Sequence, residues 1–201
     1  MGKLNYLTNT RPDIAFSVQY LSQFLQNPSK AHMTAALRTL RYIKKDPSQG
    51  LFFNDEPDYN LQAYCDSDWA QCPCTGRSVS GYFILFGGSP ISWKSKKQPT
   101  VALSSVEAEY RSMRAVIAEI SWLTRLISEL QVPSILPIPV KNDSSAAIYI
   151  SKNPVFHEMT KHIEFDFHFV RETLHEGFIS LSHTKSTEQM AYIFTKPLPS
   201  S

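Results

Sequence analysis

The sequence predicts an α/β domain with a mixed β-sheet, preceded by a small helical segment. Three short runs with strand signals follow one another after residue 60, and alternating helix and strand signals come after them. Strands joined by turns pair as antiparallel neighbours and strands joined through helices pair in parallel, so this order indicates both kinds of pairing. The chain has 201 residues, of which 42% are hydrophobic and 19% are charged, as in ordinary globular domains.

The N-terminal quarter of the chain is predicted to form two helices. Apolar residues recur at helical spacing over 11–27, and a second helix is expected over 31–45, before a proline and a glycine end it. The polar stretch "NDEPDYN", 54–60, contains a proline and has no periodicity. We therefore divide the chain into a helical segment, 1–53, and an α/β domain, 60–198.

Strands and helices follow in a clear order within the α/β domain. Strand signals are short runs bounded by turn residues, and helix signals are longer runs with an apolar period near 3.6. The expected strands are "LQAYCDS" (61–67), "GYFILFG" (81–87), "PISWKSK" (90–96), "PIPVKND" (137–143) and "FISLSH" (178–183). The expected helices are 104–130, "SSAAIYISK" (144–152), "HFVRETLHEG" (168–177) and "TEQMAYIFTK" (187–196).

The stretch 104–130 is the strongest helix signal in the chain. Ser104 and Glu107 stand three residues apart at its start, which is the pattern of a capping box. Its apolar stripe is expected to face the sheet. Trp122, inside the helix, is expected in the core.

Three carboxylates are expected to meet at one edge of the sheet. Asp66 ends the first strand, and Asp143 lies where the fourth strand passes into the following helix. In open α/β sheets, ligands bind at the carboxyl ends of the strands. Glu109 lies in the second turn of the long helix, about 40° from the centre of its apolar stripe, so its side chain is expected to point toward the sheet.

Such a cluster of carboxylates favours cation binding. Converging carboxylates raise each other's pKa unless cations lie between them. Oxygen ligands of this kind suit Mg²⁺, and two such ions about 3.5–4 Å apart can hold the attacking and leaving oxygens of a phosphoryl displacement. Solvated carboxylates near strand ends are also common, so the spacing alone leaves an ordinary acidic surface open.

Charge is unevenly distributed along the chain, although the formal net charge is only +2. Residues 1–50 carry seven Lys or Arg and two acidic residues, whereas residues 51–75 carry five acidic residues and no Lys or Arg. A basic face beside an acidic cleft suits a protein that holds a polyanion next to metal ions. Two solvated faces of unlike sign fit the same distribution.

Other classes of protein find less support. No apolar run approaches the ~20 residues that span a bilayer, and the N-terminus lacks the apolar core of a secretory signal. Three cysteines, two of them in "CPC", form no disulfide framework, so we expect a reducing compartment. The missing secretory signal leads us to expect a cytoplasmic or nuclear site. A zinc site from His157, His162, His168 and His175 is disfavoured by their irregular spacing.

Several strings resemble the C-terminal end of copia-type retrotransposon Pol polyproteins. They are "TRPDI", "YCDSDWA", "SVSGYFILFG", "ISWKSKKQ", "SSVEAEYRSM", "NPVFHEMTKHIEFDFHFVRE" and "IFTKPL", in the same order as in that family. The resemblance covers nearly the whole chain. That region is a ribonuclease H domain preceded by the tail of the reverse transcriptase. The resemblance therefore implies the ribonuclease H-like fold, a five-stranded mixed sheet flanked by helices.

The resemblance also implies an activity and its residues. The activity is two-metal hydrolysis of the RNA strand in RNA–DNA hybrids, with Mg²⁺ or Mn²⁺ as cofactor. The metal ligands of the family fall on Asp66, Glu109 and Asp143, the carboxylates selected above. His183 matches a loop histidine that assists proton traffic or product release in related nucleases. The Tyr-x-Asp-Asp string of polymerases is absent, so polymerase activity is not expected.

Two departures from the family pattern put catalysis in question. Tyr192, in "AYIFTKPL", stands where relatives with a string resembling "ADIFTKPL" have a fourth acidic residue, and a neutral phenol is a poor Mg²⁺ ligand. The turn "CPCTGRS" replaces a more polar "CPDTRRS"-like turn and keeps Arg77. These departures fit a truncated, partly decayed element copy with weakened activity.

The alternative hypothesis is a catalytically decayed module that keeps the fold and binds nucleic acid or another partner. Arg77, Lys94, Lys96 and Lys97 are its candidate phosphate contacts, and a solvated basic strand end explains the three lysines equally well. The helices of 1–53 are expected to expose apolar surface, and to pack on the nuclease domain or promote self-association.

Overall fold

The computed structural model describes residues 1–55, 58–133, 135–153 and 164–197. The helices are α1 (Gly2–Leu7), α2 (Ala15–Ser22), α3 (Lys30–Lys45), α4 (Ser105–Glu129), α5 (Ser145–Lys152) and α6 (Glu164–His175). The strands are β1 (Leu61–Asp68), β2 (Val79–Phe86), β3 (Ser89–Lys97), β4 (Ile138–Asn142) and β5 (Ile179–His183). Short 3₁₀ helices lie at Pro12–Ile14, Ser186–Glu188 and Met190–Phe194.

The five described strands form one mixed sheet in the order β3-β2-β1-β4-β5. β1 pairs antiparallel with β2, and β2 with β3, because turns join these strands directly. β4 pairs in parallel with β1 and with β5, since helices carry the chain between them. The predicted five-stranded mixed sheet flanked by helices is therefore confirmed.

Helix α4 covers one face of the sheet and builds the main core. Its stripe of Tyr110, Met113, Ile117 and Ile120 is completely buried among side chains of the sheet, α5 and α6. Burial of each aliphatic side chain contributes about 1.5–3 kcal/mol relative to exposure. This burial fixes the rotation of α4 about its axis and turns Glu109, next to Tyr110, toward the carboxyl edge of the sheet.

The start of α4 keeps half of the predicted capping box. The Ser104 hydroxyl accepts a hydrogen bond from the Glu107 N–H at 3.1 Å. The Glu107 carboxylate accepts instead from the N–H of Leu103, at 2.7 Å, and pairs with Arg111 one turn further on. These contacts satisfy N–H groups that the helix itself leaves unpaired at its start.

The opposite face of the sheet is covered by the 3₁₀ helix Met190–Phe194 and by the N-terminal helices. Phe194 packs in a small cluster with Ala15 of α2 and Leu85 of β2. A Cβ on Gly81 of β2 would lie 2.6 Å from the Phe194 Cβ, so only glycine permits this close approach. The C-terminal turn therefore sits directly on the strands.

The N-terminal helices reach the sheet through β3. The indole N–H of Trp93 donates to the backbone carbonyl of Thr8 at 2.8 Å, and α2 packs against the same strand. Helix α3 packs on α2 and leaves Met33, Leu37 and Leu40 exposed. The division of the chain at residue 60 and self-association through these helices stay predictions.

Two predictions about the helices need correction. The helix predicted over 11–27 is present but shorter, since α2 runs from Ala15 to Ser22, and beyond it Phe24 stacks on His32 of α3 with ring centres 3.9 Å apart. Trp122 is 57% exposed rather than in the core. Trp122 lies about 200° around the axis of α4 from Ile120, a buried residue of the apolar stripe, so its side chain faces away from the sheet.

The helix predicted over 187–196 is also wrong, since two short 3₁₀ helices replace it. Gln189, between them, has an extended backbone, and its side-chain carbonyl accepts from the Ala191 N–H at 3.1 Å. Its side-chain amide donates to the carbonyl of Cys65 on β1 at 3.0 Å. This buried anchor to the sheet interrupts the helix. Within the described residues, no helix is long and apolar enough to cross a membrane.

Candidate metal centre

The three predicted carboxylates meet at the carboxyl edge of the sheet. Asp66 lies on β1, Asp143 directly follows β4, and Glu109 reaches over from the second turn of α4. Because β1 and β4 are parallel neighbours, their carboxyl ends lie side by side. One carboxylate oxygen of each residue lies within 4.8 Å of those of the other two. Three oxygens at this spacing can hold a divalent cation.

Glu109 is held through both carboxylate oxygens. One oxygen accepts from the Ser67 N–H at 3.1 Å, and the other accepts from the Asn142 side-chain amide at 2.8 Å. The same Asn142 amide donates to the backbone carbonyl of Cys65 at 3.1 Å. Sequence reasoning missed Asn142, although a polar residue at the buried end of a strand, next to Asp143, is a signal for it.

Asp66 is oriented by α4 and by the C-terminal turn. The Thr195 hydroxyl donates to a carboxylate oxygen of Asp66, and the Ser112 hydroxyl donates to the Asp66 backbone carbonyl at 2.8 Å. Asp66 pairs in register with Gly81, over which Phe194 packs, and this packing brings the next residue, Thr195, to the carboxylate. Thr195 was also missed, and its only sequence signal is its place in "IFTKPL".

Asp143 is the least enclosed of the three carboxylates. It is half-buried, and its carboxylate accepts from the Ser186 hydroxyl at 3.0 Å. The side-chain carbonyl of Asn142 accepts from the Ser144 N–H at 2.8 Å, and Ser144 in turn caps α5 through the Ala147 N–H at 3.2 Å. The start of α5 therefore fixes the turn that carries Asp143.

Burial and mutual repulsion disfavour negative charge in this cluster. Burial, followed by the charge of Asp66, raises the pKa of Glu109 to about 8, although the Asn142 hydrogen bond opposes the rise. Burial also raises the pKa of Asp66, with Asp143 adding to the rise and the Thr195 hydrogen bond opposing it. A cation between these groups would relieve both effects.

Tyr192 lies beside the cluster on the turn that carries Thr195. The Thr195 N–H donates to the Tyr192 carbonyl at 3.2 Å, and the Lys196 ammonium lies 4.3 Å from the centre of the Tyr192 ring. Burial raises the pKa of Asp68, and the charge of Lys196 opposes that rise as it does for Asp66. Lys196 therefore adds positive charge to this side of the site, where Tyr192 adds none.

His183 lies at the rim of the same edge. It ends β5 in register with Asn142 of β4, and its side chain is exposed. It is therefore one strand further from Asp66 than Asp143 is. Among the described residues, the group of side chains placed to hold a metal ion does not include it.

The predicted basic residues fall in two places. Lys94, Lys96 and Lys97 line a cleft of about 680 Å³ between β3 and α4, together with Arg111 and Arg114, which sequence reasoning missed. The Arg111 guanidinium pairs with Glu107 on its own helix, and that of Arg114 pairs with Asp166 of α6. The fourth predicted residue, Arg77, is half-buried in the turn before β2 and does not line this cleft.

The alternative zinc site gains no support from the part of the chain that the structure describes. His157 and His162 lie outside the described residues, and His168 and His175 belong to α6. Within the described ranges, the side chains that cluster as metal ligands are the three carboxylates alone.

A five-stranded sheet of this order with carboxylates at its carboxyl edge defines a ribonuclease H-like fold. The chain is similar in structure to LC11-RNase H1, isolated from compost by a metagenomic approach, with a TM-score of 0.52 and 14% sequence identity. The match covers 68% of this chain and 92% of that one. No family model matches the chain.

Sequence relatives identify the family. The chain is 41% identical over 198 residues to the retrovirus-related Pol polyprotein from transposon RE1 of Arabidopsis thaliana, a match that covers 98% of this chain. It is 38% identical over 200 residues to that from transposon TNT 1-94 of Nicotiana tabacum. The chain belongs to the family of copia-type retrotransposon Pol polyproteins. It spans 14% and 15% of the lengths of these two relatives.

Proposed function

We propose that the chain is a metal-dependent ribonuclease that hydrolyses the RNA strand of RNA–DNA hybrids. The observation that carries the proposal is the meeting of Asp66, Glu109 and Asp143 at the carboxyl edge of a ribonuclease H-like sheet. Membership of the Pol polyprotein family supports it. Because the chain spans 14% of the RE1 polyprotein, the polymerase and other activities of a whole Pol polyprotein are not attributed to it.

Mg²⁺ or Mn²⁺ is the proposed cofactor. The donor set fits a hard divalent cation, because all three ligands are carboxylates and two of them, Asp66 and Glu109, are buried where negative charge needs compensation. When bound, such an ion supplies Lewis-acid chemistry at the scissile phosphate. The same fit makes Asp66, Glu109 and Asp143 the proposed ligands.

The neighbouring side chains keep the ligands in place. Asn142 and the Ser67 N–H hold both oxygens of Glu109, and Thr195 orients Asp66, so little side-chain freedom remains to be lost when a cation binds. His183 at the exposed rim is the proposed group for proton exchange with solvent, since the ordinary pKa of histidine lies near neutrality.

The cleft between β3 and α4 is the proposed contact for the nucleic-acid backbone. Lys94 and Lys96 are exposed on its wall, and Arg111 and Arg114 lie opposite them on α4. Cations in a groove contact phosphates without reading sequence, so binding there is expected to depend strongly on salt. Arg77 and Lys97 are proposed as further phosphate contacts at the edge of the sheet.

Strand-specific cleavage tests the proposed function. A hybrid with a labelled RNA strand, the same hybrid with a labelled DNA strand, and an RNA duplex are each incubated with the protein in Mg²⁺ or Mn²⁺. We expect cleavage of the hybrid's RNA strand alone, its loss on chelation, and its loss in Asp143→Asn but not in the surface control Asp55→Asn. Equal cleavage of the hybrid's DNA strand or of the RNA duplex would contradict the proposal.

The alternative function is that of a hybrid-binding module without catalysis. The observation that favours it is Tyr192, whose phenol lies under the Lys196 ammonium on the turn beside Asp66. Tyr192 itself supplies no carboxylate for a second cation on that side. The alternative predicts hybrid binding that persists in Asp143→Asn and no cleavage under any of the conditions above.

A further inference from the structure

The turn between β1 and β2 holds two cysteines of opposite exposure. Cys72 is buried and Cys74, two residues on, is exposed. The Cys72 N–H donates to the Arg77 carbonyl at 3.0 Å, while the Cys72 carbonyl accepts from the N–H groups of Thr75 and Gly76 at 3.3 and 2.8 Å. These bonds close a tight backbone turn that contains both cysteines.

The sulfur of Cys72 lies among hydrogen-bond donors. The Lys97 ammonium at the end of β3 lies 3.8 Å from it. Burial opposes a negative charge on this sulfur, but bonds from the Thr75 hydroxyl and N–H and from the Cys74 N–H, together with the Lys97 charge, bring the pKa of Cys72 below its ordinary value. A thiolate is the form of cysteine that reacts.

The third cysteine has the opposite surroundings. Cys65 is completely buried in the core on β1. Reagents in solution therefore do not reach its sulfur. The chain therefore contains its own unreactive reference thiol.

We infer that Cys72 and Cys74 are a redox-active pair that hydroperoxides oxidise to a disulfide, with Lys97 stabilising the attacking thiolate. The Cys72 sulfur attacks one peroxide oxygen, the S–O bond forms, the O–O bond breaks, and the departing hydroxide takes a proton to become water. Cys74 then loses its proton and attacks the sulfenic sulfur. The S–S bond forms, the S–O bond breaks, and a second water leaves. Two thiols lose one electron each, and one hydroperoxide is reduced.

The disulfide would change the surroundings of two neighbouring basic side chains. Oxidation removes the negative charge of the Cys72 sulfur beside the Lys97 ammonium, and it alters the turn that the Cys72 N–H closes on the Arg77 carbonyl. Both residues are proposed phosphate contacts, so hybrid affinity is expected to change on oxidation. This consequence, unlike the disulfide itself, rests on the proposed function.

Thiol mapping tests the pair without any need for activity. The full chain is reduced, treated with stoichiometric hydrogen peroxide, denatured, alkylated and digested for mass spectrometry. We expect the peptide with Cys72 and Cys74 to lose two hydrogens and to escape alkylation, while Cys65 is alkylated. In Cys74→Ser we expect Cys72 to be trapped as a sulfenic acid by dimedone, since no second thiol resolves it.

A matched pair of lysine variants tests whether Lys97 stabilises the Cys72 thiolate. We expect Lys97→Met to slow dimedone labelling of Cys72 in the Cys74→Ser background by about tenfold, and Lys96→Met to leave it unchanged. Circular dichroism confirms that both variants are folded. Oxidation of Cys74 alone, or equal labelling rates in the two lysine variants, would overturn the inference. Normal disulfide formation with unchanged hybrid affinity would instead count only against the proposed binding role.

Discussion

The Asn142 side-chain amide donates a hydrogen bond of 2.8 Å to Glu109, and both residues are buried. Asn142 thus links the end of β4 to α4 and, through the Cys65 carbonyl, to β1. One neutral side chain therefore holds together the three elements that carry the carboxylates. A carboxylate in its place would meet Glu109 with like charge.

Removal of this amide is expected to destabilise the fold and to loosen the site. Asn142→Ala leaves a buried Glu109 oxygen without its side-chain donor and removes one of the two side-chain donors to the Cys65 carbonyl, so we expect the free energy of unfolding to fall by about 1–3 kcal/mol in urea titrations. Asn153→Ala, which removes a more exposed amide bonded to the Tyr149 carbonyl, is the control and should change it by less than about 1 kcal/mol. Equal losses in the two variants would contradict the structural role of Asn142.

The Thr195 hydroxyl is expected to set the affinity of the site for a cation. Thr195→Val keeps the shape of the side chain and removes the donor to Asp66, so the pKa of Asp66 should rise further and Mn²⁺ should bind about tenfold more weakly. Thr195→Ser keeps the hydroxyl and should retain most of the affinity. Isothermal titration calorimetry measures both. Identical affinities in Thr195→Val and the parent would refute this role.

Proton release is expected to accompany cation binding. In the metal-free protein the pKa of Glu109 is about 8, so near neutral pH this group is largely protonated and must lose its proton when a cation binds. Calorimetry near pH 7 in two buffers of different ionisation enthalpy should give a release of about one proton, and the release should fade near pH 9. Equal heats of cation binding in the two buffers near pH 7 would contradict the predicted proton release.

The raised pKa of Glu109 also determines how the stability of the metal-free protein depends on pH. The folded pKa of Glu109 lies above its ordinary value of about 4.3, so between these values the folded state holds a proton that the unfolded state lacks. The free energy of unfolding should therefore fall as pH rises from about 5 to 8, and it should recover when Mn²⁺ is added. Urea titrations in chelator at the two ends of this range measure the effect.

The cleft lysines are expected to contribute to hybrid binding through charge alone. Lys94→Gln combined with Lys96→Gln should weaken hybrid binding and lower the slope of log affinity against log salt by about 2, since each phosphate that a lysine neutralises contributes about 1 to that slope. Lys44→Gln with Lys45→Gln, at the exposed end of α3, removes the same charge elsewhere. An equal change of slope in both double variants would mean that net charge, rather than the cleft, governs binding.

The sheet and the position of its acidic edge were predictable from the sequence because their signals are local. The first strand was expected over 61–67 and runs from Leu61 to Asp68, since a short strand-forming run bounded by turn residues defines it without reference to the rest of the fold. The rotation of α4 follows from its apolar stripe. The same rotation should have excluded Trp122 from the core, because it lies off that stripe.

The errors arose where tertiary contacts decide the local structure. The last predicted helix is interrupted because the Gln189 side chain bonds to the Cys65 carbonyl on β1, a contact between residues 124 positions apart. Thr195 reaches Asp66 for the same kind of reason, since Phe194 must first pack over Gly81. Neither relationship leaves a periodic pattern in the sequence.

Cleavage of an RNA–DNA hybrid by three forms of the protein tests the central claim most directly. The parent, Asp66→Asn and Tyr192→Asp are compared in Mg²⁺ and in Mn²⁺, with hybrid binding measured in parallel. We expect slow cleavage of the RNA strand by the parent, none by Asp66→Asn, and faster cleavage by Tyr192→Asp, which restores a fourth carboxylate beside the cluster. If neither the parent nor Tyr192→Asp cleaves the hybrid while both still bind it, the result would contradict the proposed ribonuclease activity and favour a binding module.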